Sequence, residues 1–107
     1  MPDSELALVR AQPSWAARVA AAHTTPRELR AVTGEVLDAI PFEAIAVPAL
    51  LIAGAHSPAY FRRDIDAVAR SLPDARVAVI DGQQHVADVL VPQTFAEHVL
   101  EFLAGQR

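Results

Sequence analysis

Apolar positions along the chain change period near its middle. In the first half they recur at helical spacing. Trp15, Val19 and Ala22 fall on one face of a segment opened by Pro13-Ser14, and Leu29, Val32, Val36 and Leu37 on one face of a second. A shorter helix, capped by Ser4 and running to Ala11, precedes both. The run "TPRE" marks a helix start. Thr25 is the N-cap, Pro26 suits the first helical position, and Glu28 falls where a capping box places its acid. Gly34 is the weak point of that helix and Pro41 ends it.

The second half reads differently. "VPALLIAG", Val47 to Gly54, is apolar without alternation, which predicts a strand buried on both faces in a parallel sheet. Ser57-Pro58 then supplies an N-cap and a first helical residue. Phe61, Ile65, Val68, Ala69 and Leu72 follow at helical spacing. "LPDA" breaks that helix and "RVAVI", Arg76 to Ile80, predicts a second strand. Pro92 opens a last helix whose apolar stripe is Phe95, Val99, Phe102 and Leu103.

The order strand, helix, strand, helix predicts a right-handed βαβ unit with parallel strands. The fold class is therefore α/β, with a helical segment over 1–44 and a βαβα part over 45–107. Two parallel strands leave an unpaired edge on each, and their faces need covering. The remaining strands of such a sheet are expected from elsewhere.

Composition narrows the function classes. A chain of 107 residues bounds a single domain with a moderate core, and 52% hydrophobic with 21% charged residues is ordinary for a globular protein. A net charge of −4 makes no field that holds nucleic acid or an anionic membrane. Without cysteine there is no disulfide framework and no thiolate chemistry. The start "MPDSELAL" shows no basic region followed by a long apolar run, so no signal peptide is expected, and no apolar run approaches the ~20 residues of a membrane span. A soluble cytoplasmic protein is expected. Glycine-rich phosphate loops, zinc spacings and basic–aromatic interleaving are all lacking, so no cofactor, metal or nucleic-acid partner is expected.

Candidate chemistry gathers in "VIDGQQHVAD", Val79 to Asp88. Asp81-Gly82 is a turn device, and Gln83-Gln84 are either loop polar residues or hydrogen-bond donors near a site. His85 follows three residues after the glycine, past the end of a predicted strand. Open α/β sheets keep their sites at that end, and a general base must be reachable there. Ser57, although preceded by His56, reads as a helix cap and not as a nucleophile. Asp88 reads as a solvated carboxylate, since two ligands without a third do not make a metal site. His23 and His98 fall on predicted helices, where surface or interface roles are expected. Trp15 and Phe42 are expected to pack.

Taken together, "VPALLIAGAHSP", the amphipathic helix, "LPDARVAVIDGQQHVAD" and "PQTFAEHVLEFL" resemble the C-terminal third of an α/β-hydrolase-fold protein, from about Ile45 to Leu103. The first half, including "SWAARVAAAHTTPREL", resembles the cap that such hydrolases insert before these strands. The resemblance implies a partial α/β-hydrolase fold in which His85 occupies the place of the catalytic histidine. It also implies hydrolysis of a small ester, lactone or amide without a cofactor. The chain departs from the pattern in lacking Gly-x-Ser-x-Gly, the nucleophile elbow, and in carrying Ser57 where an acid often stands. The expected partner is thus a complementary N-terminal half or another chain that brings the nucleophile. The other expectation, from a different class, is a non-catalytic module that self-associates through its open sheet edge.

Overall fold

The computed structural model describes residues 2–33 and 40–106. It divides into two compact units, Met1–Ala39 and Ile40–Arg107; the sequence pattern changes a few residues later, at 44/45.

The first unit contains α1 (Asp3–Arg10), α2 (Trp15–Ala21) and α3 (Thr25–Val32), with a 3-10 turn over Ala22–Thr24 leading into α3. The starts of α1 and α3 differ slightly from the sequence expectation, and that of α2 agrees with it. Ser4 lies inside α1, whose N-cap position is Pro2. There Asp3 and Glu5 in the first turn and Arg10 in the last complement the helix dipole. Ser14 holds the N-cap position of α2 but makes no side-chain cap bond.

The "TPRE" signal is displaced by one residue. The 3-10 turn carries Thr25 into helical geometry, at φ −53° and ψ −44°, so Thr25 lacks the extended backbone of a capping residue. Thr24 meets Glu28 instead. Its Oγ1 lies 2.5 Å from Glu28 Oε1 and 2.9 Å from the Ala21 carbonyl. Trp15 is half-buried, with the Arg10 guanidinium 5.7 Å from its ring centroid in a cation–π contact. The expected helical positions Gly34, Val36 and Leu37 lie outside the described residues.

The second unit opens with a 3-10 turn over Phe42–Ala44 and continues through β1 (Ala49–Gly54), α4 (Ala59–Ser71), β2 (Ala75–Ile80), α5 (Ala87–Leu90) and α6 (Pro92–Ala104). The strands pair in parallel, with Ala49 opposite Ala75 and Gly54 opposite Ile80. Backbone bonds extend the pairing beyond both ends. Ala49 N–H donates to the Asp74 carbonyl and Ala55 N–H to the Ile80 carbonyl, each at 2.9 Å. The strand begins two residues later than the apolar run, because Pro48 has no N–H to give a ladder.

Helix α4 also starts one residue late. Pro58, at φ −51° and ψ 144°, holds the N-cap position, and the Ser57 side chain caps nothing. Ser57 is instead tied into the turn that closes β1, its N–H donating to the Gly54 carbonyl at 3.1 Å. The predicted stripe Phe61, Ile65, Val68, Ala69 and Leu72 is half-buried throughout, and α4 packs against both strands. On its exposed side Arg62 and Asp66 pair at 3.0 Å, an i,i+4 contact worth a few tenths of a kcal/mol. Helix α5 falls where the sequence reads as loop.

Period-2 alternation and the register put Leu50 and Ile52 on the same sheet face as Arg76 and Ala78. That face meets α6. The Arg76 guanidinium lies 5.8 Å from the Phe102 ring centroid. Leu50 and Ile52 line an apolar cleft of about 490 Å³ with Phe95, Val99, Phe102 and Leu103. The buried side chains of this unit are Ala53, Ile80, Val86 and Ala87, all at the C-terminal ends of the strands or just beyond. The sheet has two strands among the described residues, so each keeps one unpaired edge. No helix among those residues is long and apolar enough to cross a membrane.

The packing predicts an asymmetry between neighbours on β2. Ile80 is 3% exposed and Val79 37% exposed. Ile80→Ala should lower stability by about 2–5 kcal/mol, while Val79→Thr should change it by about 0.5 kcal/mol or less. Urea titration of both variants checks this. Equal losses would contradict a core centred on Ile80.

Candidate active site

Strand β2 ends at Ile80 and the chain turns at Asp81-Gly82. Gly82 has φ +71°, a left-handed conformation that side-chain-bearing residues rarely adopt. The turn sends Gln83 and Gln84 back across the end of β1. There the Gln83 carbonyl accepts a hydrogen bond from His56 N–H at 2.8 Å. Together with the bond from Ala55 N–H to the Ile80 carbonyl, this ties the two loops that leave the C-terminal ends of the strands.

Gly54 makes the close approach possible. A Cβ at this position would collide with the carbonyl oxygens of Gln83 and Gln84 and would lie 2.6 Å from the Gln84 carbonyl carbon. These are backbone atoms, so no side-chain rotation relieves the clash.

His85 follows directly. Its side chain is exposed, and its ring stacks on Phe61 with centroids 5.1 Å apart and planes 22° apart. Phe61 in turn lies 4.5 Å from the Tyr60 ring, tilted by 33°. On the other side of the histidine, Val86 and Ala87 are buried. The Val86 carbonyl accepts bonds from the N–H groups of Val89 and Leu90 at 3.0 and 3.1 Å. His85 is therefore an exposed side chain held between two anchors: the Gly54 contact before it and the buried Val86-Ala87 pair after it. Within this unit neither ring nitrogen is engaged in a hydrogen bond among the described residues. Such an imidazole can accept a proton at one nitrogen while the other is oriented by an acid.

The remaining candidates do not join it as a catalytic set. Ser57 is half-buried in the turn after β1, and no side-chain hydrogen bond links it to a histidine. Asp88 is exposed in the first turn of α5. His23 lies in the 3-10 turn of the first unit, its Nδ1 2.9 Å from the Ala20 carbonyl, which is a local bond. His98, on α6, lines a cleft of about 380 Å³ with Asp81, Gln83 and Thr94 at the end of β2. No cluster of three or more metal-ligating side chains occurs among the described residues.

Sequence reasoning missed two contributors. Gly54 reads only as the end of an apolar run, although a glycine at a strand end signals a close backbone approach. Phe61 fits the apolar stripe of α4 so well that spacing alone assigns it to packing.

Gly54→Ala should cost about 1–3 kcal/mol through overpacking. It should also shift the backbone amide resonances of Gln83 to Val86 and weaken protection of the His56 amide against hydrogen exchange. Changes confined to position 54 and its chain neighbours would show that the loops are not tied there.

Comparison with known proteins gives one informative result. No protein-family model matches the chain, and no curated protein does. A solved structure, that of an alpha/beta hydrolase from Sphaerobacter thermophilus, is similar to it, with a TM-score of 0.63 and 30% sequence identity. The similarity covers 96% of this chain and 39% of that one, so the chain spans well under half the length of the protein it matches. Parallel strands joined by a helix, followed by a further helix, agree with that likeness: this chain carries part of an α/β-hydrolase fold.

Proposed function

We propose that His85 serves as the general base of a serine-type hydrolase whose nucleophile lies outside these residues, on a complementary N-terminal half or a partner chain. The observation that carries this reading is the place of His85: exposed, past the C-terminal end of a parallel strand, in a chain with part of an α/β-hydrolase fold. In the assembled enzyme the imidazole takes the proton of the nucleophile's hydroxyl as its oxygen attacks the substrate carbonyl. It then gives that proton to the leaving oxygen or nitrogen, and water releases the acyl group by the same route. The substrate is a small ester, lactone or amide, and the reaction uses no cofactor. The unpaired edge of β1 and the apolar cleft beside it suit an added parallel strand and its covering helix.

Co-expression with a segment that carries a strand, Gly-x-Ser-x-Gly and a helix tests the reading. The co-purified pair should hydrolyse p-nitrophenyl acetate and the isolated chain should not. His85→Ala should lower the pair's kcat by about 10²–10⁴-fold. An active pair indifferent to His85→Ala would refute the assignment.

A second reading rests on the same open surfaces. Both strands have an unpaired edge, and large apolar side chains such as Leu100 and Leu103 on α6 are 64% and 52% exposed. Self-association through a strand edge would satisfy the backbone groups and cover that helix face. Light scattering on the purified chain should then give the mass of a dimer or larger assembly. A folded monomer at micromolar concentration would sink this alternative.

A further inference from the structure

We propose that Phe61 is a positioning residue for His85, holding the imidazole in one plane while leaving both nitrogens free. The inference rests on the assignment of His85 as the base, and it adds a residue that neither the sequence pattern nor the family likeness assigns.

The geometry carries it. Ring centroids 5.1 Å apart and planes 22° apart are a face contact, with the aromatic separation expected of a stacked pair. A histidine gives and accepts its hydrogen bonds in the plane of its ring. Fixing the plane therefore fixes the sheet of directions along which a nucleophile's hydroxyl and an orienting acid must lie. A hydrocarbon ring against the face does this without competing for either nitrogen. An acid usually sets both the plane and the tautomer of a catalytic histidine. Among the described residues no carboxylate bonds to His85, so here the plane is held by Phe61 and the tautomer is left to a group elsewhere.

Phe61 is suited to the task because it is itself well held. It lies in the first turn of α4, its N–H donating to the Pro58 carbonyl at 3.0 Å, and it is half-buried on a helix that packs against both strands. The Gly54 contact fixes the height of the His85 loop above β1, and Phe61 fixes the attitude of the ring within it. Backbone placement and ring placement are thus supplied by different elements. Core packing alone would not require α4 to present an aromatic face to an exposed imidazole, since any apolar side chain at this position completes the stripe.

The test separates this inference from the hydrolase reading. In the unsubstituted full chain, NMR cross-peaks should join the ring protons of Phe61 and His85, and the His85 ring protons should be displaced upfield by the aromatic current. Phe61→Leu should abolish the displacement while leaving the amide spectrum of β1 and β2 in place, and Phe61→Tyr should restore it. In an active co-expressed pair, Phe61→Leu should lower kcat by about 10- to 100-fold, as a displaced reacting group does, with KM unchanged and with recovery in Phe61→Tyr. Absence of the inter-ring cross-peaks would overturn the proposal without any variant having to fold. Loss of the stack with undiminished kcat would overturn it equally. Indifference of the pair to His85→Ala would instead refute the hydrolase assignment, with the ring spectra still deciding whether Phe61 holds the imidazole.

Discussion

The backbone contact between Gly54 and Gln83-Gln84 is the constraint on which the candidate site depends. Parallel pairing brings the C-terminal ends of β1 and β2 side by side. Pairing alone leaves the two following loops free to diverge. The missing side chain at Gly54 lets the second loop settle on the end of the first strand, and the bond from His56 N–H to the Gln83 carbonyl fastens it. Once Gln83 and Gln84 are placed, the next residue has little choice of position, and that residue is His85. Burial of Val86 and Ala87 then fixes the far side of the loop.

Stability and exposure are divided in a way that fits this role. The buried side chains of the second unit cluster at the strand ends that support the loop, and no large enclosed core forms among the described residues. No side chain in the described residues is fully buried. Strand edges stay unpaired, and the cleft between β1 and α6 is open and apolar. A unit of this kind gains little from its own sheet, because each strand has one partner and one unsatisfied edge. Its architecture is that of one part of an α/β-hydrolase fold.

Much of that part was legible in the residues. The apolar run ending at Gly54, bounded by a proline and a glycine, the helical stripe from Phe61 to Leu72, "RVAVI" and the Pro92 helix each carry a local pattern that predicts an element, and each formed. Helix starts were less well read. Thr25 and Ser57 have capping chemistry, yet in both cases the chain geometry at the cap shifted the start of the helix by one residue, and Ser4 lies inside α1, which starts two residues earlier than a Ser4 cap would place it. A cap depends on the backbone torsions of one residue, and those are set by what precedes it: a 3-10 turn before Thr25, and a strand-closing turn at Ser57. Helix α5 escaped because one turn of four residues is too short to show a period.

His85 could be singled out from its place after a predicted strand, and the turn before it from Asp81-Gly82, since local chemistry determines both. Fold class followed from the same source, because the switch from helical spacing to an unbroken apolar run is written residue by residue. What holds the histidine could not be read this way. Gly54 and Gln84 are thirty positions apart, and Phe61 and His85 twenty-four. Periodicity reports only which face of its own element a residue occupies. The parallel crossover folds the intervening helix back and superposes two strand ends that are remote in the chain. That superposition, a property of the tertiary structure, made a glycine into a seat for a loop and a packing phenylalanine into the platform for an imidazole.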